Sequence, residues 1–212
     1  MTLYQDRVGV DEAGRGPVIG PMVIATIHIP ADDDWLHTSG VADSKTLSSR
    51  KRERLADELC DRYADRALIL SANQIDEVVK QPGDSLTKFE IRQMKQLLKD
   101  QSANHVVIDA PTKQNPFQQD NVIYEHKADE TYGCVGAASI IAKVVRDNAV
   151  QRIKHWCRAE VGSGYPSDPA TQAYLDSADF NKPWIRSQWQ TIQDRKHENA
   201  QQTLRKHDAQ NR

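Results

Sequence analysis

Two apolar runs close to the start of the chain, residues 7–10 and 18–29, are separated only by a short stretch rich in glycine and ending in Pro17. Runs of this kind bounded by turn residues read as strands, and Pro30 closes the second one. So short a connection can join antiparallel neighbours but not parallel ones, which need a crossover of a dozen residues or more. The sheet therefore opens with a hairpin. Downstream, strands and helices alternate. Residues 32–40 read as a polar loop, and Ser48 or Ser49 caps a helix reaching about Arg62, with Leu55, Ala56 and Leu59 inside. Residues 67–72 make a short strand, Asn73 caps a short helix that Pro82-Gly83 ends, and Ser85 opens another helix with Leu86, Phe89, Met94 and Leu97 as core candidates. Strands follow at 105–108 and 121–126, then a helix rich in alanine and isoleucine from about Glu130 to Cys157. Gly162-Ser163-Gly164-Tyr165-Pro166 breaks it, and two more helical segments finish the chain. A hairpin followed by alternation predicts an α/β fold whose sheet is mixed and flanked by helices. The division expected is a core over 1–160 and a C-terminal helical extension over 161–212. Its tail after Gln190, poor in apolar residues, reads as a solvated helix or as partly disordered.

At 212 residues, with hydrophobic side chains at 38%, the chain has fewer apolar residues than most globular proteins, but their bunching still permits a core. No apolar run approaches the roughly 18 residues of a membrane span, and no charged leader with an apolar stretch and cleavage site is evident. The three cysteines, Cys60, Cys134 and Cys157, are scattered in neither a disulfide nor a zinc pattern. A cytoplasmic protein without membrane contact is expected. The net charge of -2, from 28 basic and 30 acidic residues, argues mildly against a nucleic-acid binder on overall balance. Locally, Lys45, Arg50, Lys51, Arg52 and Arg54 cluster, and Lys182, Arg186, Arg195 and Lys196 flank Trp184 and Trp189. Such runs are usually solvated faces, although two tryptophans in six residues usually pack or bind something.

Chemistry gathers at the acids. Asp11-Glu12 directly follows the strand Val8-Gly9-Val10, Asp109 directly follows Val106-Val107-Ile108, and Asp147 lies inside the long helix. Strand-end aspartates often do no more than bond a turn. Asp147 is more telling, because Ile140 and Val144 share its helix face and place it inward. Lys143, four residues earlier, offers only the weaker i,i+4 orientation. A charged carboxylate left inward and unpaired costs several kcal/mol, so a cation should meet it. Mg²⁺ fits, being a hard ion that takes oxygen ligands. Four carboxylates on one cleft suit a pair of ions about 3.5–4 Å apart, clamping the attacking and leaving oxygens at phosphorus. Gly14-Arg15-Gly16-Pro17 follows the first acids at once. Alternate glycines either make a tight turn or let backbone approach a ligand, and the two readings are compatible. No P-loop, His-Glu-x-x-His or Gly-x-Ser-x-Gly pattern competes.

Asp11-Glu12-Ala13-Gly14-Arg15-Gly16-Pro17 resembles the N-terminal signature of the type 2 ribonucleases H, the ribonuclease HII family. The likeness continues through Asp43-Ser44-Lys45-Thr46-Leu47, Val107-Ile108-Asp109, His126-Lys127-Ala128-Asp129 and the block from Ala137 to Asp147. Gly162-Ser163-Gly164-Tyr165-Pro166-Ser167-Asp168-Pro169 is similar to the archaeal branch. The resemblance implies a ribonuclease H-like fold and an endonuclease acting on RNA–DNA hybrids and on duplex DNA carrying embedded ribonucleotides. It implies Asp11, Glu12, Asp109 and Asp147 as catalytic ligands of Mg²⁺ or Mn²⁺, and cleavage 5′ to a ribonucleotide that leaves 3′-hydroxyl and 5′-phosphate ends. By the same resemblance the Gly14, Arg15 and Gly16 backbone reads the 2′-hydroxyl, and Tyr165 stacks on the neighbouring sugar. Lys45, Lys127 and Lys143 become candidates for phosphate contacts or for balancing the acids, and Arg15, fork-shaped and always charged, the better phosphate anchor. The tail from Gln190 has no aromatic residue and so lacks a sliding-clamp box. A monomer is expected. The rivals are another two-metal nuclease or phosphatase on a related fold and a non-catalytic hybrid binder. Gly14-Arg15-Gly16 with Tyr165 argues against the first, and the full set of acids against the second.

Overall fold

The computed structural model describes residues 6–31, 33–41 and 47–210. Its strands are β1 (Arg7–Ala13), β2 (Met22–Ile29), β3 (Ala64–Leu70), β4 (His105–Asp109) and β5 (Val122–Glu125). They form one sheet in the order β3-β2-β1-β4-β5. β1 is antiparallel to β2 and parallel to β4, with Val10 opposite both Thr26 and Ile108. The mixed sheet is the one the opening hairpin requires.

The hairpin differs in its limits. β1 continues through Asp11, Glu12 and Ala13, which pair with Ala25, Ile24 and Val23. The first two acids are therefore strand residues and not turn residues. In exchange, residues 18–21 leave the sheet. The amides of Val18 and Ile19 donate to the Gly164 carbonyl at 2.8 and 3.2 Å. Their side chains are buried with Val150, Ile153, Val161, Leu175, Ile185 and Ile192. The apolar run is real, but its last function is to anchor the C-terminal third of the chain.

The helices are α1 (Trp35–Thr38), α2 (Ser49–Arg62), α3 (Ala72–Val79), α4 (Leu86–Leu98), α5 (Ala128–Thr131), α6 (Gly133–Cys157), α7 (Pro169–Ser177) and α8 (Gln190–Gln210). Ser48 caps α2 and Ser85 caps α4, as the sequence predicts. Three details differ. A single turn, α1, lies in the segment read as loop. Ser71, in a reciprocal capping box with Gln74, starts α3 in place of Asn73. Tyr132, with extended backbone, separates α5 from α6. The tail is helical, and Ile192 and Arg195 hold its first turns to the body.

Strand side chains alternate between faces. Val8 and Val10 join Met22, Ile24, Val106 and Ile108 in a core covered by Phe89 and Met94 of α4. Ala13, Val23, Ala25 and Val107 face the other way, onto Ala137, Ala138 and Ile141 of α6. Asp11 belongs by register to the α6 face and Glu12 to the α4 face. α6 approaches β1 very closely. A Cβ on Gly9 would collide with the Cys134 carbonyl group and the Val135 nitrogen. Gly9→Ala is expected to destabilise the protein by about 1–3 kcal/mol, toward the upper end because backbone cannot yield as a side chain can. Chemical denaturation checks this; an unaltered midpoint would mean that α6 does not pack at this distance.

Candidate active site

The ends of β1 and β4 lie side by side, and this parallel pairing brings Asp11, Glu12 and Asp109 together. Asp11 is almost fully buried. Burial, then the charges of Glu12 and Asp109, raise its pKa well above the usual carboxylate value, while the Ser139 hydroxyl and the Glu12 amide pull it down. Lys143 donates to Ser139 at 2.9 Å, so its charge reaches Asp11 through one hydroxyl. Asp109 accepts the Ala128 amide at 2.9 Å, which pins β4 to α5.

Glu12 meets an acid that sequence reasoning missed. Glu90, on α4, is completely buried and faces Glu12. Burial first and mutual repulsion next raise Glu12, and burial chiefly raises Glu90. Glu12 Oε2 and Glu90 Oε1 are buried without a hydrogen-bond partner. A shared proton or a cation would satisfy both. The signal for Glu90 lies in the spacing, since it falls four residues after Leu86 and four before Met94, on the inward stripe of α4.

Arg15 closes this side. Its Nη1 meets Glu90 Oε2 at 2.5 Å and Nη2 donates to Thr87 Oγ1 at 3.0 Å. The fork read as a phosphate clasp is thus turned onto α4, with a third of the side chain still exposed. The backbone around it is set by a second unforeseen residue. Arg186, read as part of a basic surface run, is fully buried. It donates to the carbonyls of Gly14 at 2.6 Å, Arg15 at 2.9 Å and Gly20 at 3.0 Å, and lies 4.9 Å from the Trp189 ring. In a trans peptide the N–H points opposite to the C=O. Holding the Gly14 and Arg15 carbonyls inward therefore aims the Arg15 and Gly16 amides outward. Gly14 at φ +90 allows that turn. Little local in the sequence marks Arg186, because the three carbonyls it bonds lie more than 160 residues away.

Asp147 is a correction. The helical face shared with Ile140 and Val144 predicts an inward carboxylate, but its side chain is 48% exposed. Beside Ile140 the helix is covered by the hydrophobic packing of α2, whereas beside Asp147 it meets Arg52 in the first turns of α2. The cations beside Asp147 are arginines, where the sequence reading led to a divalent ion. Arg146 Nη1 lies 3.0 Å from Oδ1 and Arg52 Nη1 3.7 Å from Oδ2. Tyr165 is partly exposed beside Gly16, where a Cβ would lie 3.7 Å from its ring. Lys127 pairs with Glu130 at 3.8 Å. Lys45 lies outside the described residues. Among the described residues, no three acids, histidines or cysteines already stand in metal-holding geometry. The donor set nevertheless suits a hard divalent ion: only carboxylates, two of them (Asp11 and Glu12) raised by burial and then by neighbouring acids, with a buried oxygen of Glu12 unpartnered.

A mixed five-stranded sheet flanked by helices, with acids on the neighbouring parallel strands β1 and β4, is the fold of ribonuclease H-like proteins. The family model described as Ribonuclease HII matches residues 8–192. A Ribonuclease HII of Methanococcus maripaludis is 42% identical over 187 residues, covering 79% of this chain and 76% of the relative. The ribonuclease HII in the PCNA complex from Archaeoglobus fulgidus superposes with a TM-score of 0.79 at 33% identity, covering 88% of this chain and 94% of that one. Bst-RNase HIII, solved in complex with Mn²⁺, shares the fold at a TM-score of 0.75 and 18% identity, covering 91% and 70%. The chain belongs to the ribonuclease HII family.

The raised carboxylates have a consequence for stability. Between the ordinary carboxylate range, about 4–5, and their raised values, the folded protein retains protons that the unfolded chain has released. Stability is therefore greatest on the acid side and declines as pH rises through neutrality. Melting temperatures in a chelator are expected to fall from about pH 5 to pH 8, and Glu90→Gln, which removes one of the repelling charges, to make the decline shallower. A melting temperature that climbs over this range in the parent protein would show that the acids are not crowded.

Proposed function

We propose that Asp11, Glu12, Asp109 and Asp147 hold Mg²⁺ or Mn²⁺ and that the backbone of Gly14, Arg15 and Gly16 recognises the 2′-hydroxyl of a ribonucleotide. The protein is a ribonuclease H that hydrolyses the RNA strand of RNA–DNA hybrids. The observation that carries the site assignment is the meeting of Asp11, Glu12 and Asp109 at the neighbouring ends of β1 and β4, just before a loop whose Gly14 and Arg15 carbonyls are held by the buried Arg186. Divalent ions supply neutralisation of that repulsion, an activated water and stabilisation of charge at phosphorus.

The chain's own residues do the rest. Asp11 is held by Ser139 and the Glu12 amide, and Asp109 by the Ala128 amide. The outward amides of Arg15 and Gly16 can bond a 2′-hydroxyl, the group that separates RNA from DNA at one position. Tyr165 offers a ring for the adjacent sugar, so that cleavage falls 5′ to a single ribonucleotide in duplex DNA. Gly14, Gly16 and Tyr165 thus select the substrate, with Lys45 and the exposed part of Arg15 as phosphate contacts. In this reading residues 1–160 carry the chemistry and 161–212 form an extension that delivers Tyr165 and Arg186. The Archaeoglobus relative was solved with PCNA, and residues 190–212 of this chain contain no aromatic. No described helix is long and apolar enough to cross a membrane.

The test is cleavage of duplex DNA bearing one ribonucleotide, beside all-DNA and hybrid controls. With Mg²⁺ or Mn²⁺ the product ends 5′ to the ribonucleotide. Asp11→Asn and Asp147→Asn each lower turnover on the order of a hundredfold or more, the scale for removing one preorganised electrostatic group. Full activity in Asp147→Asn would remove that residue from the ligand set.

A further inference from the structure

Tyr165 is 39% exposed, with part of its ring covered and part open. The covering group is Arg146, whose guanidinium carbon lies 4.9 Å from the ring centroid. The same guanidinium donates from Nη1 to Asp147 at 3.0 Å and from Nη2 to the Ser163 carbonyl. One planar group, itself buried, thus touches the ring, the turn that carries it and the carboxylate on α6.

The turn does not need Arg146 to keep its shape. The Gly164 carbonyl accepts from Val18 and Ile19, and its amide donates to Thr171 at 2.9 Å. Ser163 donates its amide to Asp168, and this bond, second to that of the Ser163 side chain, helps hold the Asp168 pKa down at about 2. Those four bonds fix the backbone of 163–164 without reference to α6. What Arg146 adds is a seat for the Tyr165 ring and a tie from that seat to Asp147.

We infer that Arg146 is a positioning residue that couples ribonucleotide sensing by Tyr165 to the placement of Asp147. This rests on the roles given to Tyr165 and Asp147 above. A sugar stacked on the open side of the ring presses it onto the guanidinium, and the guanidinium fixes the carboxylate it bonds. Lysine cannot substitute, because a point charge lacks both the flat face for the ring and the fork for two acceptors. Substrates that present a lone ribonucleotide depend on this link most, since they offer the fewest other 2′-hydroxyl contacts.

The experiment compares kcat/KM on a single-ribonucleotide duplex and on a long RNA–DNA hybrid for the parent, Tyr165→Ala, Arg146→Lys and the double variant. The ratio of the two constants, taken on one preparation, does not depend on the fraction of protein that is folded. Each single substitution is expected to lower the ratio by about tenfold, the scale of a well-formed cation–π contact. The double variant should fall no further than the worse single one. A parental ratio in Arg146→Lys, or factors that multiply in the double variant, overturns the coupling while leaving the active-site reading intact. A parental ratio in Tyr165→Ala removes the sensing role and the coupling with it. Failure of the parent to cut either substrate, with divalent ions present, overturns the active-site reading itself.

Discussion

Carboxylates at Asp11, Glu12, Asp109 and Glu90 repel one another where little water reaches them, and much of the surrounding structure serves to contain that repulsion. The alternation of β1 makes the first contribution by sending Asp11 and Glu12 to opposite faces of the sheet. Each then meets its own counter-group. Lys143 acts on Asp11 through Ser139, and Arg15 is drawn toward the Glu12–Glu90 pair from the loop just beyond. These cations are not enough to ionise the cluster fully, as the raised pKa values of Asp11, Glu12 and Glu90 indicate. A site left in this condition favours whatever brings further positive charge, and in this chemistry that is a divalent ion.

Arginines, two of them buried, join the parts of the chain that make the site. Arg15 links the first loop to α4, Arg146 links α6 to the turn at Ser163, and Arg186 reaches from beyond α7 to the carbonyls of Gly14, Arg15 and Gly20. Guanidinium suits these places because it keeps its charge when buried and presents several donors in one plane. Apolar packing runs in parallel with these bonds, since Val18 and Ile19 share a core with Leu175, Ile185 and Ile192. The extension is therefore tied to the opening loop by apolar contact, by backbone bonds such as those of Val18 and Ile19 to Gly164, and by Arg186.

The sequence was most legible where the determinants are local. Serine caps at 48 and 85, the inner face of α2 and the hairpin with its mixed sheet all follow from neighbours within a few residues. The acids at 11, 12 and 109 were visible because each interrupts or ends an apolar run. The exposure of Asp147 was misread because a helical wheel assigns faces but not what covers them, and at that level the cover changes from apolar side chains to Arg52. Ser139 and Arg146 lay within the block of resemblance without any sign of their task. Arg186 stood in a basic stretch whose tryptophans suggested packing or binding, but its own task was hidden because its acceptors are backbone carbonyls on a remote loop, and carbonyls carry no signature in sequence. Glu90 differs, since its place on the stripe between Leu86 and Met94 made a buried acid readable.

The near-neutral net charge takes on a different meaning in this light. Arg146 and Arg186 are buried and bonded within the protein, so they add little to the field that an approaching polyanion meets. Part of the acidic count is likewise withdrawn, because Asp11, Glu12 and Glu90 lie inside and hold protons readily. The formal balance of 28 basic and 30 acidic groups therefore misstates the surface on both sides. Attraction of a phosphate backbone falls to the exposed cations and, in the proposed site, to divalent ions whose own charge would dominate it. In such an arrangement the ions that complete the chemistry also complete the binding surface, and the carboxylates that would repel the substrate become the reason it can be held.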